Sequence, residues 1–126
     1  MATGGVITNA GKQLILKRIY SNSTANPIQT LSVGTGTTTP AETDTALENA
    51  VLTGISILGG PLVDSSTNTL TTKYFISSLQ ANGYNLSECG EFNSDNVMLG
   101  RDVFTAISKT NAKEITIIMK HRCSSV

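Results

Sequence analysis

From Ile28 to Arg122 the sequence is a succession of short runs rich in β-branched and apolar residues. Each run is closed by a cluster of Gly, Pro, Asn, Asp or Ser. This punctuation constrains the fold more than any other feature, because runs of this length with period-two alternation read as strands and the clusters between them as turns. Ile28-Gln29-Thr30-Leu31-Ser32-Val33 alternates, with Leu31 and Val33 on the face opposite Thr30 and Ser32, and Gly34-Thr35-Gly36 stops it. Leu52 to Leu58 follows, broken by Gly59-Gly60-Pro61. Residues 70–79 form the clearest run. Tyr74 with Ile76, and Phe75 with Leu79, place apolar groups on both faces, so a strand covered on both sides is expected. Ala81-Asn82-Gly83 is a hairpin signal, since Asn-Gly adopts positive φ readily, and Tyr84 to Phe92 is expected to run back beside 70–79. Val97–Ser108 and Glu114–Arg122 complete the set, separated by Thr110-Asn111-Ala112-Lys113.

Only the N-terminal part carries a helical period. Thr8 or Asn9 can cap a helix by accepting a bond from an orphan N–H. Ala10 and Leu14, Ile15 and Ile19, and Leu16 and Tyr20 are i,i+4 pairs on a broad apolar face. Residues 8–20 therefore predict one amphipathic helix lying on a sheet, terminated by the loop 21–27. Asp44 to Ala50 predicts a single helical turn capped by Thr43 or Asp44. The fold class expected is α+β, mostly β: an antiparallel sheet or sandwich with one N-terminal helix packed on it. With 126 residues the chain is one domain, 1–126, and buries about two thirds of the surface its unfolded form exposes, so folding needs no disulfide or metal.

Composition narrows the classes of function. Charged residues are 14% of the chain, against about 25% in typical globular proteins, and Ser, Thr, Asn and Gly take their place. A charge-poor surface suits a protein largely covered by partners, because interface cores are depleted in charge. Net formal charge is zero and no basic run exceeds Lys120-His121-Arg122, which argues against nucleic-acid binding. No stretch approaches the roughly 20 apolar residues of a membrane helix. Met1-Ala2-Thr3-Gly4-Gly5 lacks the cationic and apolar regions of a signal peptide, so the product is expected to stay where it is made. Cys89 and Cys123 are expected there as thiols, acting as two small buried hydrophobes.

No constellation in the sequence points to catalysis, a metal or a cofactor. His121 has no motif linking it to a nucleophile or carboxylate and reads as a surface or interface side chain. Glu88 and Glu91 are three apart, which in a strand puts them on opposite faces. Glu88 is instead placed to meet a cation such as Arg101 on a neighbouring strand, as a structural ion pair worth about 0–1 kcal/mol if exposed. Gly34-Thr35-Gly36 lacks the third glycine of a dinucleotide loop and the Lys-Ser/Thr ending of a P-loop. Asp44 and Glu48 share a helical face, but two carboxylates make no octahedral cage, and no zinc spacing occurs. The motif residues have structural jobs. Gly34 and Gly36 permit a tight exit where a Cβ would clash, and Gly90 permits a bulge or close contact. Phe92 and Phe104 are candidate core aromatics.

The order of motifs carries a resemblance. Ile7-Thr8-Asn9-Ala10-Gly11 opens the chain. Leu31-Ser32-Val33-Gly34-Thr35-Gly36, Pro40-Ala41 and Asp44-Thr45-Ala46-Leu47 follow. Then come Asn85-Leu86-Ser87-Glu88-Cys89-Gly90-Glu91-Phe92, Met98-Leu99-Gly100-Arg101-Asp102-Val103-Phe104 and Ser108-Lys109-Thr110. The succession resembles the N-terminal domain of phage tail-collar fibre proteins and related small tail and baseplate proteins, over nearly the whole chain. The resemblance implies a non-enzymatic virion role, attaching fibres or other proteins to a tail, collar or baseplate, with no catalytic residues. It also implies residence in the virion after assembly in the bacterial host cytoplasm. The sequence reaches Val126 without a shaft or receptor-binding tip, so a tail, neck or baseplate adaptor is expected rather than a long fibre. Its expected partners are copies of itself, most simply a trimer, and other phage tail, neck or capsid proteins. A capsid cement or decoration protein is the alternative. A host-surface carbohydrate-binding module ranks below it, with no Trp and only three Tyr and three Phe for sugar stacking.

Overall fold

The computed structural model describes residues 2–20 and 25–124. It contains eight strands and one helix in the order β1 (Ala2–Ile7), α1 (Asn9–Ile19), β2 (Ile28–Gly34), β3 (Ala50–Ser56), β4 (Leu62–Asp64), β5 (Thr69–Ile76), β6 (Asn85–Asn93), β7 (Met98–Ser108) and β8 (Ile115–Arg122). The strands form two antiparallel sheets, one of five strands ordered β1-β7-β6-β2-β3 and one of three ordered β4-β5-β8. The expected class, mostly β with one N-terminal helix on an antiparallel framework, is the class observed.

The sheets pack face to face over one core. Leu31 and Val33 of β2, Ile55 of β3, and Leu86 and Cys89 of β6 meet Tyr74 and Ile76 of β5, with Ile115, Ile117 and Met119 of β8 half-buried against them. A bridge between Ile57 and Tyr74 joins the end of β3 to the small sheet. Strand β6 is central in the large sheet, and every residue from Leu86 to Asn93 is buried. Its inner face meets the small sheet. Its outer face lies under the segment 35–49, where a Cβ on Gly90 would stand 3.1 Å from Leu47 Cδ2 and 2.9 Å from Met98 Sδ. Gly90 is thus a close-contact glycine, as its sequence context predicts.

The helix begins where expected. Thr8 is the N-cap, its Oγ1 accepting from Gly11 N at 2.9 Å. The same hydroxyl donates to Met98 O at 2.6 Å and ties the helix start to β7. Gly11 sits where a Cβ would come 2.2 Å from Leu99 O, so only glycine allows this approach.

Several expectations need correction. Only Gly11 and Leu14 of α1 are buried, while Ile15, Leu16, Ile19 and Tyr20 face outward. The apolar face is wider than the strip of β7 available to cover it. The strand expected over 70–79 ends at Ile76 and is covered on one side within this chain: Tyr74 and Ile76 are buried, but Phe75 is exposed, as is Leu79 beyond the strand's end. Residues 81–83 do turn the chain, with positive φ at Ala81 and Gly83. They do not close a hairpin with β5, because β6 pairs with β2 and β7 and the chain crosses to the other sheet. The deciding factor is burial: the Leu86–Asn93 run needs cover on both faces, which only the centre of the large sheet supplies. No helical turn forms over 44–50, where bends lead into β3. Phe92 is buried as expected, while Phe104 is half-buried against the core. Cys89 is buried but Cys123 is exposed, and both are free thiols. Strands β1 and β4 lie outside the runs identified from periodicity, because β1 is glycine-rich and β4 is three residues long.

Candidate functional site

Two buried carboxylates on β6 organise the polar interior, and as expected they point to opposite faces. Glu88 is fully buried beneath the segment 35–49. Its Oε1 accepts from Gly36 N at 3.0 Å and Asn49 N at 2.7 Å, and its Oε2 accepts from Glu48 N at 3.0 Å and Arg101 Nε at 2.8 Å. The Glu88–Arg101 pair predicted across neighbouring strands therefore exists, but both side chains are buried rather than exposed. Arg101 also donates to Thr38 O at 3.0 Å and Asp44 Oδ2 at 3.2 Å, and its Nη2 lies 3.8 Å from Glu48 Oε1. Asp44 and Glu48 do not share the helical face expected of them, because no helix forms there; both instead lie beside Arg101. Glu48 binds the Thr37 and Thr38 N–H groups, which hold its carboxyl below its usual range, the Thr38 hydroxyl first among the causes. Gly34 and Gly36 are required by the same packing. A Cβ on Gly34 would lie 2.2 Å from Asn49 O, and one on Gly36 would lie 2.6 Å from Glu88 Oε1.

The second carboxylate, Glu91, stands between the sheets. Its Oε2 accepts from the Thr72 hydroxyl at 3.0 Å and from Tyr74 Oη, and its Oε1 pairs with His121 Nε2. Thr72 and Tyr74 lie on β5 and His121 on β8, so this cluster clamps the two sheets together. The environment shifts each member. Burial alone would raise the Glu91 carboxyl, but the bonds from His121, Tyr74 and Thr72 outweigh it and hold the group below its usual range. The bond to Glu91 raises His121 against the opposing effect of burial. Burial, with Glu91 beside it, raises the Tyr74 phenol. Burial pushes the Cys89 thiol up to about 12. His121 is therefore a half-buried interior residue rather than a surface one. Sequence reasoning missed the pairing because residues 91 and 121 meet only across the sandwich.

A groove of about 1450 Å³ opens between α1 and β8, lined in part by Ile15, Ile19, Leu99, Ile118, Met119 and His121. Asp102 also lines it. Its Oδ1 is buried without a hydrogen-bond partner, and burial raises its carboxyl. Among the described residues, His121 hydrogen-bonds Glu91 and no nucleophilic hydroxyl or thiol. Among the same residues no group of three or more His, Cys, Asp or Glu side chains has a metal-holding arrangement, and no helix is long and apolar enough to cross a membrane. Glu88, held by four protein donors, fixes the 35–49 segment on the large sheet, and Glu91, held by Thr72, Tyr74 and His121, joins the two sheets at the groove wall. No protein-family model, curated protein or solved structure matches this chain.

Proposed function

We propose that the chain is a non-enzymatic structural component of a bacteriophage particle. It is a tail, baseplate or neck adaptor, or fibre-attachment module, that acts through contacts with copies of itself and with neighbouring virion proteins. The observation that carries the proposal is its uncovered apolar surface. Ile19 is 66% exposed, Tyr20 81% and Leu79 88%, and apolar side chains line the groove between α1 and β8. Large exposed apolar patches mark association surfaces, and the groove carrying Ile15, Ile19 and Ile118 is such a patch. The low charge content and the ordered motif resemblance to phage tail-collar proteins support the same reading. Glu88, with both oxygens engaged by four protein donors, fits a framework role.

The test is size-exclusion chromatography with light scattering on the purified chain, followed by binding to isolated phage tails. A symmetric oligomer that associates with tails is the expected result. A stable monomer that binds no tail refutes the reading. Quantitative mass spectrometry of purified virions then separates an adaptor, present in tens of copies or fewer, from a capsid decoration protein present in many more.

A further inference from the structure

Four strands lie at sheet edges: β1 and β3 in the large sheet, β4 and β8 in the small one. An edge strand presents unpaired N–H and C=O groups to any second strand, and stable proteins interrupt such edges. Three of the four are interrupted here. The register of β1 shifts between Ala2 and Gly5. The register of β3 shifts twice, and Gly54 within it has φ 73°. Strand β4 has three residues. By contrast β8 has eight residues, contains neither Gly nor Pro, and pairs with β5 residue for residue without a shift. It offers roughly 26 Å of regular, unpaired edge.

We infer that a second copy of this chain pairs with that edge, β8 against β8, antiparallel about a two-fold axis through Ile118. The inference rests on the self-association proposed above and names its surface. In a two-fold antiparallel pair, opposed residues lie on the same face of the joined sheet, so their numbers sum to an even value. Centring on Ile118 places it against the partner's Ile118, Lys120 against the partner's Thr116, and Arg122 against the partner's Glu114. Glu114, Lys120 and Arg122 are all exposed, and among the described residues none of them forms an ion pair. The strand therefore carries its own complement: a basic C-terminal end that meets Glu114, the residue just before the same strand, in the partner. Centring on Met119 sets Arg122 against the partner's Thr116 and leaves both cations without a carboxylate. Centring on Ile117 sets Lys120 against the partner's Glu114, but it pairs β8 with itself only over 115–119, against 115–121 when centred on Ile118, and carries Arg122 to the partner's Ala112. The Ile118 register also joins the two half-exposed Ile118 side chains at the axis, diagonal to the exposed Phe75 of β5. On the inner face it sets Met119 against the partner's Ile117. Such a junction gives a dimer, or a hexamer where a three-fold contact exists elsewhere.

The test uses the full chain with Cys123→Ser, so that buried Cys89 is the one native thiol left. Ile118→Cys in that background forms a covalent dimer under mild oxidation, because directly opposed residues bring their Cα atoms to about 4.5–5.5 Å, inside the range a disulfide spans. Lys120→Cys, which faces Thr116, does not. Arg122→Glu opposes like charges at both ends of the junction and raises the dissociation constant read by light scattering roughly tenfold or more, and adding Glu114→Arg restores it. Circular dichroism confirms that each variant is folded. An oligomer that persists unchanged in Arg122→Glu, with no cross-link at position 118, overturns this surface and leaves self-association standing. A chain that is monomeric at every concentration overturns both.

Discussion

Replacing Glu88 with Gln isolates the charge that holds the 35–49 segment on the large sheet. The substitution keeps shape and volume. One amide oxygen still accepts from Gly36 N and Asn49 N, at the positions now 3.0 and 2.7 Å from Oε1. The amide nitrogen then faces Glu48 N–H and Arg101 Nε–H, two donors now 3.0 and 2.8 Å from Oε2, so two hydrogen bonds are lost. Arg101, with its side chain 2% exposed, loses its one fully buried counterion and keeps the more exposed Asp44 and Glu48. Removing one partner of a buried ion pair costs about 3–5 kcal/mol, which already includes the desolvated donors left behind. Against a total stability of about 5–15 kcal/mol this is a large loss, and it lowers the Tm by roughly 10–20 °C. Urea and thermal unfolding followed by far-UV circular dichroism measure it. The double variant Glu88→Gln, Arg101→Met removes the stranded cation and is less destabilised than the sum of the two single variants by about 2 kcal/mol. A Glu88→Gln protein melting within about 3 °C of the parent, or strictly additive singles, would refute the assignment of Glu88 as the charge-paired anchor of this loop.

Three further outcomes follow from the geometry. The His121–Glu91 clamp makes stability depend on pH from both sides. His121 is raised in the folded state, so its contribution is complete below about pH 6.5 and is lost as pH rises through the higher folded value. Glu91 is lowered, so its contribution is complete above about pH 4.5 and is lost as pH falls through its lower folded value. Urea midpoints are expected to be highest between these limits, and His121→Asn is expected to flatten the decline on the alkaline side; an unchanged slope in the variant would count against the clamp. Gly11→Ala drives a methyl into Leu99 O and is expected to cost about 1–3 kcal/mol despite the better helix propensity of alanine, read as a lower urea midpoint. With a disulfide-exchange reagent at pH 8, one thiol, Cys123, reacts in the native protein and Cys89 reacts only after denaturation, because burial denies Cys89 both access and its thiolate.

Local pattern determined much of this protein. The Thr8 cap and the start of α1 follow from a hydroxyl placed before an i,i+4 apolar series, and the strands β2, β3, β5, β6, β7 and β8 follow from short apolar and β-branched runs bounded by turn residues. Pattern also placed Glu88 and Glu91 on opposite faces and set Glu88 toward Arg101, because side-chain parity along a strand is a property of the backbone alone. What parity cannot specify is which strand lies beside which, or what lies across the core. Whether 81–83 closes a hairpin or carries the chain to the other sheet depended on how much of β6 must be buried, a sum over the whole domain. The fate of Asp44 and Glu48 depended on Arg101, more than fifty residues later, which draws both carboxylates to itself and leaves bends where a helical turn was expected. The apolar stripe on α1 was legible, but its outward-facing half was not, since the width of the face that receives it is set by the neighbouring strands. His121 and Glu91 lie thirty residues apart in different sheets, and only the closing of the sandwich makes them one site.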